Sequence, residues 1–183
     1  MKIASFLALA LIMFCNLNAA DKYITKTGHI WFYSKTPMEV IEAHNNQAAS
    51  VIDIKTGSIA FNLIIKSFKF ERALMEEHFN ENYIESAKFP KSTFNGKFTN
   101  FDKSNFTKNG IYKVNVEGDL NIHGVAKHVK TPGSIEVKDG KIYAKSKFSV
   151  KPEDYNIQIP GIVRDKIGKN MEITVDLVYE PFK

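Results

Sequence analysis

Between Tyr112 and Ile122 the chain alternates without a break. Tyr112, Val114, Val116, Gly118, Leu120 and Ile122 share one face, and Lys113, Asn115, Glu117, Asp119 and Asn121 share the other. A period of two sets one face against a core and the other in water. The run is long for a strand of an open sheet and suits the tilted staves of a closed barrel. Three more rows repeat the pattern: Met171, Ile173, Val175, Leu177 and Tyr179; Ile59, Phe61, Leu63 and Ile65; and Ile142, Ala144, Ser146, Phe148 and Val150. Shorter alternations at 23–33, 48–54, 93–101, 125–130 and 133–137 add further strands. Turns are expected at Lys55-Thr56-Gly57, Lys108-Asn109-Gly110 and Lys138-Asp139-Gly140, each offering a Gly or Asn that accepts positive φ. Turn signals at roughly ten-residue spacing predict an all-β fold, a sandwich or a barrel.

One segment departs from the period of two. Residues 73–84 lack Gly and Pro, are rich in Glu, and place Met75, Phe79 and Tyr83 four residues apart, which predicts a short helix covering part of the barrel. Its Glu76-Glu77-His78 cluster reads as the wet face of that helix. Residues 152–170 are irregular, with a turn at Pro160-Gly161, and read as a loop region at a barrel mouth.

The N-terminus changes the expected compartment. Lys2 precedes an apolar run over 3–14, followed by Asn18-Ala19-Ala20, the arrangement of a cleavable signal peptide over 1–20. The apolar run falls short of the roughly 20 residues a spanning helix needs. A periplasmic or secreted protein is expected, with residues 21–183 as one domain. Cys15, the only cysteine, lies inside the leader, so the rest must hold together by an apolar core without disulfides. The formal net charge of +5 comes from lysines interleaved with acids rather than from one basic block. That pattern argues against a nucleic-acid partner and permits, at most, transient contact with anionic membrane surfaces.

Candidate chemistry is sparse. His29, His44, His78, His123 and His128 lack cysteine co-ligands and a HExxH arrangement, so no metal is expected. His123 and His128 read as solvated groups on the outer face with Glu117 and Asp119. The chain has no GxSxG nucleophile, no phosphate-cradling glycine loop and no mature cysteine to pair with a histidine, and neither catalysis nor a cofactor is expected. Arg72 and Arg164 are the only arginines. Arg164, in the irregular loop, is the candidate for contact with a ligand head group, against the plainer reading of an ion pair with Asp165 or another acid.

Three segments carry a resemblance. Val116-Glu117-Gly118-Asp119-Leu120-Asn121-Ile122-His123-Gly124-Val125-Ala126-Lys127-His128-Val129 is similar to the G-x-L-T-I-x-G-V-T-K-x-V strand pair of the polyisoprenoid-binding YceI-like family, with Asn121 and Ala126 in place of two threonines. His78-Phe79-Asn80-Glu81-Asn82-Tyr83 followed by Phe89-Pro90 and Phe94 resembles the family's helix and strand entry. Asp154-Tyr155-Asn156-Ile157 resembles its late D-(F/Y)-N/G-I element. The resemblance spans nearly all of 21–183. It implies a lipocalin-like eight-stranded barrel with an elongated apolar tunnel, often a homodimer. It also implies a bound polyisoprenoid, isoprenoid quinone or fatty-acid-like molecule for transport, storage or sequestration.

A lined tunnel would set Phe61, Leu63, Phe94, Phe98, Val114, Val116, Leu120, Phe148, Ile173, Val175 and Leu177 against the ligand chain. Small barrels can instead be filled by their own side chains, and both kinds alternate identically. Fourteen phenylalanines could plug a tunnel or line one. A structural or partner-binding barrel with a self-filled core is therefore the alternative to a lipid carrier.

Overall fold

The computed structural model describes residues 20–182. The expected signal peptide and Cys15 lie outside the described residues. In chain order the strands are β1 (Lys22–Lys35), β2 (Val40–Asp53), β3 (Ser58–Ile64) and β4 (Lys69–Phe70), then helix α1 (Ala73–His78). β5 (Lys91–Phe98), β6 (Gly110–Ile122), β7 (Val125–Lys138), β8 (Lys141–Val150) and β9 (Met171–Pro181) follow. All pairings are antiparallel, in the order β1-β9-β8-β7-β6-β5-β3-β2. β1 pairs with β2, from Lys22 opposite Asp53 to Lys35 opposite Val40, and closes eight strands into a barrel. The two-residue β4 pairs outside that circle, on His44 and Ala43 of β2. Closure leaves no long unpaired edge.

The four long alternating rows fall in β6, β9, β3 and β8 with their apolar faces inward. Two strands differ from their sequence reading. β2 begins eight residues before the expected 48, because Glu42, His44, Asn45, Asn46 and Gln47 hide the alternation. Asn45 points inward yet is fully buried at no cost in orphaned groups, since its Nδ2 donates to the Ile64 carbonyl at 2.9 Å and its Oδ1 accepts from Gln47 N–H at 2.8 Å. The segments 125–130 and 133–137 are one strand, β7, with Pro132 inside it. Pro132 faces Asn115, whose own N–H and C=O are turned to Asn100 and Thr99, so the missing proline N–H removes no bond from the β6–β7 ladder.

On the other side of β7 the proline does have an effect. The β7–β8 ladder runs only from Lys138–Lys141 to Gly133–Ser146, and beyond Pro132 the two strands part. A second seam opens between β2 and β3, whose ladder stops at Ala49–Asn62. Both seams lie at the same end of the barrel, and the two long insertions, 65–90 and 151–170, are seated there. α1 continues into a wider π turn over Phe79–Tyr83, closed by Ile84 N–H to the Phe79 carbonyl at 2.9 Å, in agreement with the helix expected at 73–84. On the other insertion, the 3-10 turn Pro152–Tyr155 contacts β7.

The opposite end is solid. Tyr23, Ile52, Ile54, Phe106, Ile135, Val137, Ile142, Leu177 and Tyr179 are buried there, with Phe98, Phe101 and Phe106 stacked edge to face or tilted at 5.0–5.5 Å. Tyr179 is fully buried, its hydroxyl 2.6 Å from Ser50 Oγ, which donates to the Ala60 carbonyl at 2.8 Å. Among the described residues no helix is long and apolar enough to cross a membrane.

Candidate functional site

The half of the barrel above this plug holds a cavity of about 580 Å³. That volume lies in the range of pockets that enclose most of a drug-sized ligand. All eleven residues expected to face the interior border it: Phe61 and Leu63 from β3, Phe94 and Phe98 from β5, Val114, Val116 and Leu120 from β6, Phe148 from β8, and Ile173, Val175 and Leu177 from β9. They converge because each sits on the inward face of a stave.

Two glycines meet in the barrel wall between the Phe94–Leu120 and Phe98–Val116 pairs. Gly96 of β5 and Gly118 of β6 face each other across the ladder, and a Cβ on Gly118 would overlap the Asn95 carbonyl oxygen and the Gly96 Cα. The Phe94 ring packs over Gly96, in the space a side chain there would take. Polar side chains on the wall are spent on the backbone. Ser92 Oγ donates to the Asn121 carbonyl at 2.6 Å; Ser146 Oγ donates to the Pro132 carbonyl at 2.8 Å and lies 3.1 Å from Thr131 Oγ1. The charged residues on the border, Glu39, Arg72, Lys145 and Lys166, are none of them buried. The interior therefore offers a guest apolar contact and little else.

Much of the upper wall was not legible in the sequence. Phe32, Phe68, Phe70 and Phe79 form a cluster with ring centres 5.1–5.8 Å apart, drawn from β1, the stretch between β3 and β4, β4 itself and the helix. Phe79 carried a readable signal, its four-residue spacing from Met75 and Tyr83, all three of which border the cavity, and Phe32 lies in the alternation expected at 23–33, whereas Phe68 and Phe70 carried none. The stretch 66–72 has no sustained period. From the other insertion come Tyr155, Ile157, Ile159, Val163 and Ile167. The two insertions share a small core of their own, Ile65, Ile84, Tyr155 and Ile157, against which Phe79, Tyr83, Ile122 and Val125 pack. They thus form one jointed cover over the open end.

His123 belongs to this cover, which corrects its reading as a solvated outer-face group. It occupies the two-residue turn between β6 and β7 with φ +53°, next to Gly124 at +75°. Its side chain is only 8% exposed. Nδ1 lies 3.1 Å from the Tyr155 carbonyl oxygen, Nε2 lies 2.8 Å from Glu85 Oε2, and the ring meets Phe89 edge-on at 4.3 Å. Both partners accept, so the imidazolium form donates to both at once. His128, by contrast, is exposed and pairs with Asp119 at 3.0 Å.

The remaining candidates are spread out. Arg164 does not border the cavity; its guanidinium turns to Glu153 at 3.4 Å and to the Ile159 carbonyl at 3.4 Å, so the acid it meets is Glu153 rather than Asp165. Lys166, two residues on, does border the mouth, as does exposed His78. In the Glu76-Glu77-His78 cluster, Glu76 pairs with Lys69 and the other two face solvent. On the barrel's outer wall His29 Nε2 lies 2.9 Å from His44 Nδ1, both rings stacking with Trp31. Burial and the neighbouring His44 pull His29 below the usual histidine range against the opposing pull of Asp176. Among the described residues no group of three or more His, Asp or Glu side chains is placed to hold a metal ion.

Comparison with known proteins places this geometry. The profile of the YceI-like domain matches residues 17–179. No curated protein matches the chain. Among solved structures, a polyisoprenoid-binding domain from Saccharophagus degradans, implicated in plant cell wall breakdown, superposes with a TM-score of 0.75 at 15% identity, covering 89% of this chain and 99% of its own. Burkholderia cenocepacia BcnA gives a TM-score of 0.69 at 18% identity over 82% of this chain and 95% of its own. The YceI protein of Campylobacter jejuni gives 0.59 at 18% identity over 74% and 82%. At such identities the superpositions show a shared fold, the closed eight-stranded barrel with its short helix. With the family profile spanning nearly the whole described barrel, the chain belongs to the YceI-like domain family.

Proposed function

We propose that this protein is an exported carrier that holds one long apolar lipid, a polyisoprenoid, isoprenoid quinone or fatty-acid-like molecule, and transforms nothing. The observation that carries the reading is the half-hollow barrel: a cavity of about 580 Å³ walled by apolar side chains above a solid floor. A self-filled barrel would have no use for two strand seams opening at one end. Each methylene buried there contributes about 0.8 kcal/mol, so a chain of ten or more carbons is held without any polar contact. The polyisoprenoid-binding domain of Saccharophagus degradans has the same fold, which supports the same class of guest.

The head group would sit at the mouth between His78 and Lys166, with the chain running down toward Phe98. Residues 1–20 are proposed as the signal peptide that delivers the chain to the periplasm or beyond, and 21–183 as its one functional domain. Organic extraction of the purified protein followed by mass spectrometry tests the carrier reading. An isoprenoid or fatty-acyl mass at near-equal stoichiometry is expected; protein that carries no lipid and takes none up from detergent or ethanol stocks would overturn it. N-terminal sequencing of protein recovered from the periplasm or medium, expected to start at Ala20 or Asp21, checks the leader.

A further inference from the structure

The open end of the barrel is unusually apolar on its outside. Of the eight large hydrophobic residues that are exposed among the described residues, five lie there: Met38, Val40, Ile64, Leu74 and Ile162. Ile162 is the extreme case, 93% exposed at the tip of the 3-10 turn Gly161–Val163. Its neighbour Val163 borders the cavity. Two consecutive side chains thus make an apolar step from outside the rim to the tunnel wall.

The loop bearing Ile162 is not a loose end. Val163 N–H donates to the Pro160 carbonyl at 3.1 Å, Lys166 N–H to the Val163 carbonyl at 3.0 Å, and Gly168 N–H to Ser34 Oγ on β1 at 3.0 Å. The turn is folded and anchored, so Ile162 is held outward instead of folding back onto the rim. Its charges are biased: Arg164, Lys166 and Lys169 stand against the single acid Asp165. Neither Lys166 nor Lys169 has an ion-pair partner among the described residues. Across the mouth the insertion 65–90 is net acidic, with Glu71, Glu76, Glu77, Glu81 and Glu85 against Lys66, Lys69, Arg72 and Lys88.

We propose that the loop 160–169 docks the barrel mouth on an anionic lipid bilayer, with Ile162 dipping below the head groups and Arg164, Lys166 and Lys169 resting on them. The inference rests on the carrier reading, since it names the surface from which the guest enters along Val163. An apolar tip flanked by cations is the arrangement that a membrane surface rewards through both burial and charge. A protein donor would instead need a broader complementary face than one turn provides.

The test is flotation of purified protein with phosphatidylcholine vesicles, with or without phosphatidylglycerol, alongside Ile162→Asp, Ile162→Trp and the pair Arg164→Glu, Lys169→Glu. Wild type is expected to float with anionic vesicles and to be released by high salt. Ile162→Asp should lose about tenfold in binding, as befits one withdrawn apolar side chain, and the charge-reversed pair at least about fivefold. Ile162→Trp should bind as well as or better than wild type, with a blue-shifted emission on the vesicles. Ile162→Asp and Ile162→Trp should keep the wild-type melting temperature, and all variants should retain a preloaded lipid in solution. Equal flotation of wild type and Ile162→Asp, or binding indifferent to phosphatidylglycerol, would overturn docking through this loop. Protein that floats as expected yet never holds a lipid would leave docking standing and sink the carrier; protein that loads from ethanol stocks but ignores vesicles would do the reverse.

Discussion

His123 Nε2 lies 2.8 Å from Glu85 Oε2, and this contact ties the β6–β7 turn to the segment that follows the helix. With its other nitrogen on the Tyr155 carbonyl, the same ring holds both halves of the cover. His123→Asn keeps a residue at home at positive φ but is too short to make both bonds. The variant is expected to lose about 1–3 kcal/mol of stability, read as a melting-temperature drop of several degrees, and to release bound lipid faster. His128→Ala, a change at an exposed pair, should do neither. An unchanged melt for His123→Asn would mean that the cover does not depend on this joint.

Val116→Asp places a carboxylate on the cavity wall with no partner. A buried unpaired acid is costly, and at least about 2 kcal/mol of destabilisation is expected together with loss of lipid loading, measured by thermal melting and by extraction. If both stayed at wild-type levels, the inward assignment of the β6 row would be mistaken.

Gly118→Ala probes the close approach of β5 and β6. The added methyl would meet the Asn95 carbonyl and Gly96 across the ladder, where backbone rather than a flexible side chain must give way. A cost of about 1–3 kcal/mol is expected, against little effect for Gly161→Ala, whose added Cβ meets nothing within 4 Å. Denaturant titration of the two variants makes the comparison.

Alkaline pH should weaken the fold through Tyr179. Burial pushes its hydroxyl far above the ordinary value of 10.0, an effect only partly offset by the bond to Ser50. Above about pH 10 the unfolded chain releases this proton and the folded chain keeps it, so the unfolded state binds fewer protons and stability falls as pH rises. Tyr23 and Tyr155, also raised by burial, act in the same direction. Tyr179→Phe should lose about 0.5–1.5 kcal/mol at pH 7 and show a shallower decline above pH 10. A decline as steep as that of wild type would remove Tyr179 as a cause.

Lys166→Ala is expected to weaken binding of a lipid with an anionic head group more than that of a plain hydrocarbon of equal length, because only the former offers an acceptor at the mouth. Arg164→Ala, with its guanidinium already on Glu153, should leave that ratio unchanged. Affinities for a matched ligand pair decide it, and a change in the ratio for Arg164→Ala alone would return the head group to that residue.

The barrel and its inner face were legible in the chain because alternation is a local property: a residue two places along a stave points the same way whatever the rest of the fold does. Phe61, Val116, Phe148 and Leu177 announce themselves in this manner, and so does the helix through Met75, Phe79 and Tyr83. What no local pattern encodes is how far the barrel is filled. Phe98 and Phe106 meet at the floor while Phe32 and Phe70 meet at the roof, and that division depends on strand shear and on where ladders stop. Pro132 ends one ladder and Asn45 spans the other seam, each through partners more than ten residues away in sequence. His123 sits next to the outward row of β6, and only the fold brings Glu85 and Tyr155 to it. Tertiary structure therefore decided the hollow, its cover and its rim, since each arises where distant segments meet.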